Sequence, residues 1–163
     1  MGDLNMSKIT VIGAGSVGAT IANDLMIQGI ASEIVLIDIN KEKAFGEALD
    51  IYQAAPFCSP AIVRCGDYPD ATDSDIVVIT SGVARKPGQS RLDLAQTNVN
   101  ILKDITPNIV KVAPKAVYII VSNPVDILTY VFSKISGLPE HQIMGSGTIL
   151  DTSRLQSPLA KRF

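Results

Sequence analysis

The 163-residue sequence has little of several features that would place a protein in other classes. Its formal net charge is only −2, so it lacks the excess of basic residues that nucleic-acid binding requires. Its uncharged apolar runs reach at most seven residues, far below the roughly 20 that span a bilayer. The polar start, MGDLNMSK, is unlike a secretory signal peptide. We therefore expect neither nucleic acid nor a membrane among its partners.

Cysteine and histidine are also scarce. Cys58 and Cys65 form neither a CxxC pair nor a metal-binding spacing, which indicates reduced thiols of a cytoplasmic protein and no metal site. His141, the only histidine, lies in the loop LPEHQ, where we expect a solvated or structural role. With 47% hydrophobic residues, the chain is long and apolar enough to bury the core of one domain over residues 1–163.

Apolar, β-branched runs alternate with stretches of helical periodicity. Most of the runs are continuously apolar, as in strands that are covered on both faces, and they predict strands at 8–13, 33–38, 61–66, 75–80, 116–122 and 142–145. Helices are predicted at 16–28, 41–55, 91–112, 125–135 and from 148 onward. This order predicts an α/β fold, a doubly wound parallel Rossmann sheet of about six strands with helices on both faces.

Two prolines fall inside predicted helices. Pro107 should kink or break the 91–112 helix near Thr106, because proline lacks the N–H of the helical hydrogen bond. Pro158, in the terminal stretch LQSPLAKRF, should likewise break the last helix near Ser157, unless the chain has been cut or altered there.

A glycine-rich loop follows the first predicted strand. In ITVIGAGSVGAT, Gly13, Gly15 and Gly18 have the spacing G-x-G-x-x-G, which suits a tight turn, a close approach to a pyrophosphate and close helix packing. The helix that follows offers free N–H groups to phosphates. Asp38 lies 20 residues after Gly18, at the end of the second strand. A carboxylate at this place accepts hydrogen bonds from the hydroxyl groups of an adenine ribose. Because this carboxylate would repel the 2′-phosphate of NADP, the pattern predicts NAD as the cofactor. Lys41 and Lys43 lie nearby in the sequence, and their positive charges would favour a 2′-phosphate instead.

Four separated motifs, GAGSVG, RKPGQSRLDL, SNPVDI and GSGTILDTSR, make the chain resemble the NAD-binding half of the L-lactate/malate dehydrogenase family. The resemblance implies a hydride transfer between NAD(H) and a small 2-hydroxy or 2-oxo acid. It also implies a cis peptide bond between Asn123 and Pro124. The cofactor-binding residues that we expect are Gly13, Gly15, Val17, Gly18, Asp38, Lys43, Thr80, Gly82, Val83, Val121 and Asn123.

The same resemblance assigns substrate contacts. Arg91 would polarise the substrate carbonyl, and Arg154 would bind the substrate carboxylate through its planar guanidinium. Asn123 would donate to the substrate oxygen, and Asp151 would orient a catalytic histidine. Arg85 stands where malate enzymes of the family grip a second carboxylate, whereas RLDL and GSGTILD resemble the lactate branch. We expect L-lactate dehydrogenase activity, with malate dehydrogenase as the alternative.

The family's catalytic histidine and its C-terminal catalytic domain have no counterpart in the chain, and His141 does not match the histidine's position. By itself the chain should therefore behave as a non-catalytic NAD-binding module, which is the second alternative. The helix predicted at 41–55 carries more apolar side chains than one sheet face needs. In the family that helix packs on a second subunit, so a homo-oligomer is expected.

Overall fold

The chain forms one six-stranded sheet in which every neighbouring pair of strands is parallel. A computed structural model describes residues 7–84, 88 and 90–162, apart from the side chain of Arg91. The strands are β1 (Lys8–Ile12), β2 (Glu33–Ile37), β3 (Ile62–Cys65), β4 (Ile76–Ile79), β5 (Val117–Ile120) and β6 (Ile143–Gly145). Their spatial order is β3-β2-β1-β4-β5-β6, with Val11 of β1 aligned to Leu36 of β2 and Val78 of β4. The predicted doubly wound Rossmann sheet is confirmed.

Five α-helices connect or follow the described strands. They are α1 (Ser16–Ile27), α2 (Lys41–Tyr52), α3 (Arg91–Val112), α4 (Val125–Ile135) and α5 (Gly147–Ala160). Three short 3₁₀ segments, which sequence periodicity did not predict, span Ala55–Phe57, Tyr68–Ala71 and Glu140–Gln142. None of the helices in the part of the chain described above is long and apolar enough to cross a bilayer.

The sheet is covered from both sides, which explains why most positions in its inner strands are apolar. In β2, Ile34 and Leu36 belong to the apolar cluster that includes residues of α1 and α2. Val35 and Ile37 point the other way, into the cluster formed with α3 and α4. Successive residues of a strand face opposite sides of the sheet, so a strand between two helix layers is apolar at most of its positions.

Pro107 does not break α3, which runs without interruption from Arg91 to Val112, so the predicted break near Thr106 does not occur. Leu102 and Ile105 before the proline and Ile109 after it are all buried in one apolar cluster. Burial of three large side chains along one face stabilises the helix by more than the about 3 kcal/mol that an internal proline costs.

Pro158 does not break α5 near Ser157 either, since the helix extends from Gly147 to Ala160. Its missing N–H would have bonded to the carbonyl of Arg154, one turn earlier. Arg154 is exposed, so water can hydrogen-bond to that carbonyl instead. A proline in the last, solvated turn is therefore tolerated, and the predicted break near Ser157 does not occur.

The strand order reverses between β1 and β4, which lie side by side although β2 and β3 intervene in the sequence. The connections that leave these two strands depart to opposite faces of the sheet, and a crevice opens between them at the carboxyl ends. In open α/β sheets, ligands bind at this place. Both the glycine loop after β1 and the segment after β4 begin there.

Candidate active site

The glycine loop packs tightly against the end of β4. Gly13 has φ +106°, a conformation that favours glycine, and a Cβ atom there would lie 2.7 Å from Thr80 Oγ1 and 2.8 Å from the Ser81 nitrogen. A Cβ on Gly18 would overlap the carbonyl oxygen of Gly13. Both glycines are therefore required by space inside the fold, in agreement with the turn and helix-packing roles that the spacing predicts.

The outer side of the loop is open and suits a phosphate. A Cβ placed on Gly15 would have no heavy atom within 4 Å. Gly15 is also the N-cap of α1, so no capping side chain occupies the first-turn N–H groups, and the first turn contains no acidic residue. Unpaired N–H groups at the positive end of a helix dipole bind anions. The main chain here fits the pyrophosphate of a dinucleotide.

Asp38 follows β2 directly and is hydrogen-bonded to the glycine loop. Its Oδ2 accepts from the Ala14 N–H at 2.7 Å, and its Oδ1 accepts from the Asn40 N–H at 2.8 Å. A carboxylate has about four lone-pair sites, so these bonds fix its orientation and leave acceptor capacity for hydroxyl groups. Lys43 lies in the first turn of α2, where its N–H donates to Asn40 Oδ1 at 3.0 Å.

A cavity of about 880 Å³ lies beside the loop, beyond the carboxyl ends of β4 and β5. It brings together most of the predicted site residues, which are Val17, Thr80, Gly82, Val83, Val121, Asn123, Asp151 and Arg154. The lining does not include Gly13, Gly15, Gly18, Asp38 or Lys43. These five belong to the adjoining loop region around the ends of β1 and β2.

The cavity floor is made by the two segments that follow β4 and β5. Thr80 Oγ1 donates to the carbonyl oxygen of Gly13 at 2.9 Å, which links β4 to the glycine loop. The Ser122 hydroxyl donates to the Ser81 carbonyl at 2.7 Å. One residue further along, the Asn123–Pro124 peptide bond is cis, as the family resemblance implies.

Asp151 and Arg154 belong to the cavity wall contributed by α5. Their side chains make an ion pair at 3.2 Å and are 77% and 68% exposed. Exposed pairs of this kind contribute little free energy, so the guanidinium can change partners at small cost. The arrangement can therefore present Arg154 to a carboxylate and Asp151 to a cationic or donor group.

The side chains of Arg85 and Arg91, which were predicted to contact the substrate, lie outside what the structure describes. Arg85 falls in the undescribed segment, and Arg91 is the first residue of α3, its side chain lying outside the description. His141 is exposed in the 3₁₀ segment before β6, at the amino end of that strand and therefore at the sheet edge opposite the cavity. Its position is consistent with the solvated or structural role expected of it.

Asn98 is the site residue that sequence reasoning missed. It lies on α3, lines the cavity and is only 3% exposed. Its position between Ala95 and Leu102, both buried at helical spacing, was the available signal. A polar side chain on the core face of a helix needs hydrogen-bond partners, and these are found in the cavity floor.

Comparison with known proteins identifies the family. Residues 7–145 match the family described as lactate/malate dehydrogenase, NAD binding domain. The chain belongs to this family. The predicted family and the predicted NAD cofactor are thereby confirmed.

Among curated relatives, the L-lactate dehydrogenase of Clostridium botulinum (strain Loch Maree / Type A3) is 54% identical over 159 residues, covering 98% of this chain and 50% of that protein. The L-lactate dehydrogenase of Clostridium perfringens (strain SM101 / Type A) is 53% identical over 157 residues, covering 96% and 50%. The chain thus spans about half the length of the curated relatives it matches.

Solved structures show the same fold in both branches of the family. A ligand-bound minor L-lactate dehydrogenase from Enterococcus mundtii has a TM-score of 0.92 at 40% identity, covering 96% of this chain and 50% of its own. The malate dehydrogenase of Archaeoglobus fulgidus in complex with NADH has a TM-score of 0.89 at 42% identity, covering 94% and 53%.

Proposed function

We propose that the chain is the NAD-binding half of an oxidoreductase that interconverts a small 2-hydroxy acid and its 2-oxo acid, with L-lactate and pyruvate as substrates. The observation that carries this proposal is the cavity beyond β4 and β5. It joins Val17 of the glycine-loop helix to Asn123, Asp151 and Arg154. When bound, NAD supplies or accepts the hydride.

Each predicted residue then has a defined task. The open main chain around Gly15 holds the pyrophosphate. Asp38 accepts hydrogen bonds from the ribose hydroxyl groups, using the lone pairs that its two hydrogen bonds to main-chain N–H groups leave free. Arg154 binds the substrate carboxylate, and Arg91 stabilises the negative charge that develops on the carbonyl oxygen. Asp151 orients a histidine that the second half of a longer protein would contribute.

L-lactate is favoured over malate by the two curated relatives reported above, which are named L-lactate dehydrogenases. Malate dehydrogenase is kept as the second candidate because of Arg85, whose charge would suit the second carboxylate of oxaloacetate. A non-catalytic NAD-binding module is less well supported. Pure nucleotide binding has no use for the Asp151–Arg154 pair that lines the cavity.

The same proposal includes a cytoplasmic location and a homo-oligomer. The location is supported by Cys58 and Cys65, which are both partly exposed and unpaired thiols. Cell fractionation that finds the protein outside the cytosol would count against it. The oligomer is argued below from the exposed face of α2.

Titration of the chain with NADH and NADPH tests the cofactor site. We expect NADH to bind more tightly, because the Asp38 carboxylate repels a 2′-phosphate, and we expect Asp38→Ala to erode this preference. Asp50→Ala, which removes an exposed carboxylate from α2, is the matched control and should preserve it. Equal affinities of the unaltered chain for the two cofactors would contradict the role of Asp38.

A further inference from the structure

Asn98 forms hydrogen bonds with both segments of the cavity floor. Its Oδ1 accepts from the Val83 N–H at 2.9 Å, and its Nδ2 donates to the carbonyl oxygen of Asn123 at 2.7 Å. Nδ2 also lies 3.4 Å from the Val83 carbonyl oxygen. One buried amide therefore connects the segment after β4 with the segment after β5.

These segments extend past the ladder that pairs the two strands. The β4–β5 register ends with Ile79 opposite Ile120. Beyond it, Ser122 bonds to the carbonyls of Ile79 and Ser81, close to the sheet. Farther from the sheet, the hydrogen bonds among the described residues that join the two segments are those made by the Asn98 side chain.

The Asn98 side chain fits its position closely. A Cβ on Gly82 would lie 3.2 Å from its Oδ1, so the amide packs against bare main chain. A buried amide without partners costs a few kcal/mol, and a side chain with both ends hydrogen-bonded has little freedom to move. The segments after β4 and β5 are thus held at a fixed separation at Val83 and Asn123.

We propose that Asn98 is a positioning residue that sets the width of the cavity where the cofactor and the substrate meet. It presents the Gly82–Val83 main chain to the cofactor while holding the Asn123 backbone, from which the Asn123 side chain extends into the cavity. This inference rests on the proposed function, because it assigns the cavity to NAD. It concerns a residue that acts through its neighbours and does not require Asn98 to touch the cofactor.

NADH titration and thermal melting of Asn98→Ala test the proposal. We expect the Kd for NADH to rise about tenfold or more, because the segments after β4 and β5 lose the side chain that hydrogen-bonds to both of them. The matched control is Thr106→Ala, on the same helix. Thr106 is also buried and bonds to the Leu102 carbonyl at 2.7 Å, but it does not line the cavity. Thr106→Ala should lower the Tm and leave the Kd within about twofold of the unaltered chain.

Asn98→Asp separates the two hydrogen bonds. The carboxylate can still accept from the Val83 N–H but has no donor for the Asn123 carbonyl, so NADH should again bind more weakly. If Asn98→Ala and Asn98→Asp both bind NADH as the unaltered chain does, the proposal is wrong. A Kd that rises as much in Thr106→Ala would also overturn it, since any destabilisation of α3 would then suffice.

Hydrogen exchange provides a readout that does not need the cofactor. The Val83 amide should exchange slowly in the unaltered chain, because Asn98 Oδ1 accepts its hydrogen, and exchange at this amide should accelerate in Asn98→Ala but not in Thr106→Ala. A fully unprotected Val83 amide in the unaltered chain would refute the Asn98 anchor. Failure of that chain to bind NADH, with Val83 protected, would instead refute the proposed function.

Discussion

At the scale of single residues, Arg64 shows how one side chain on an edge strand connects several elements. Its guanidinium donates to Glu33 Oε1 of β2 at 2.9 Å and to Asp70 Oδ1 at 2.7 Å. The other oxygen of Asp70 accepts from the Asp67 N–H at 2.8 Å. The Asp67 N–H and then the Arg64 guanidinium hold the pKa of the Asp70 carboxyl below its usual value. Asp70 thereby ties the 3₁₀ segment to the sheet edge.

This lowered pKa predicts a pH-dependent contribution to stability. A carboxyl whose pKa is depressed by folding stabilises the protein above its usual pKa near 3.8, and this contribution is lost as the pH falls through the lower, folded value. Asp70→Asn should therefore lower the Tm at neutral pH, and its difference from the unaltered chain should shrink in acid. Asp50→Asn, an exposed acid on α2, is the control for general charge effects. A Tm difference for Asp70→Asn that stays constant down to acidic pH would contradict the ion-pair argument.

At the scale of elements, α2 has two apolar sides although only one of them contacts the sheet. Ala44, Ala48 and Ile51 are buried against the core. The outer side carries Phe45, Leu49 and Tyr52, each between 44% and 58% exposed. This distribution, with mostly small residues on the buried side and large apolar residues on the exposed side, is unusual for a helix whose outer side faces solvent. A second copy of the chain would cover the larger side chains.

Sedimentation of a concentration series tests whether α2 mediates self-association. We expect the weight-average mass to increase with concentration, because the exposed side chains would be removed from water in a dimer. Leu49→Asp should abolish the increase by placing a charge in the contact. Ile127→Asp, which changes a comparably exposed apolar residue on α4, should leave it intact. A chain that is monomeric at every concentration would count against the contact.

At the scale of the whole molecule, half of the length found in the curated relatives is outside this chain. The cavity is lined on one side by α5, in which none of the described residues is buried. Asp151 and Arg154 therefore face open space, where a second half could supply the histidine and close the site. Under the proposed function, this chain would supply the groups that bind and orient the cofactor and the substrate, and the second half would supply the proton-transferring group.

Substrate choice can be measured by joining the chain to the second half that its relatives have. We expect a higher kcat/KM for pyruvate than for oxaloacetate, whereas the chain alone should turn over neither. Arg85→Gln should lower the residual activity on oxaloacetate, since a second carboxylate would lose its cationic partner. Lys86→Gln, which removes a neighbouring cation, is the control. A preference for oxaloacetate of 100-fold or more, about 2.7 kcal/mol, that Arg85→Gln reverses would establish the malate alternative instead.

Part of the site could be predicted from local sequence alone. The spacing of Gly13, Gly15 and Gly18 indicated the turn and the helix start, because tight turns and close packing restrict residue type at single positions. The place of Asp38 followed from counting to the end of the next strand. The hydrogen bond from the Ala14 N–H to Asp38 could not be predicted, since it joins residues 24 apart and depends on the distance between two neighbouring strands.

The sequence by itself determined the order and type of the elements, because strands buried on both faces and helices with one apolar side leave distinct periodicities. Tertiary structure decided what happens at Pro107, where helix packing outweighs a local penalty, and it decided the role of Asn98. The partners of Asn98 lie 15 and 25 residues away on separate segments. Such contacts exist only once the sheet has brought the ends of β4 and β5 together, and no local pattern records them.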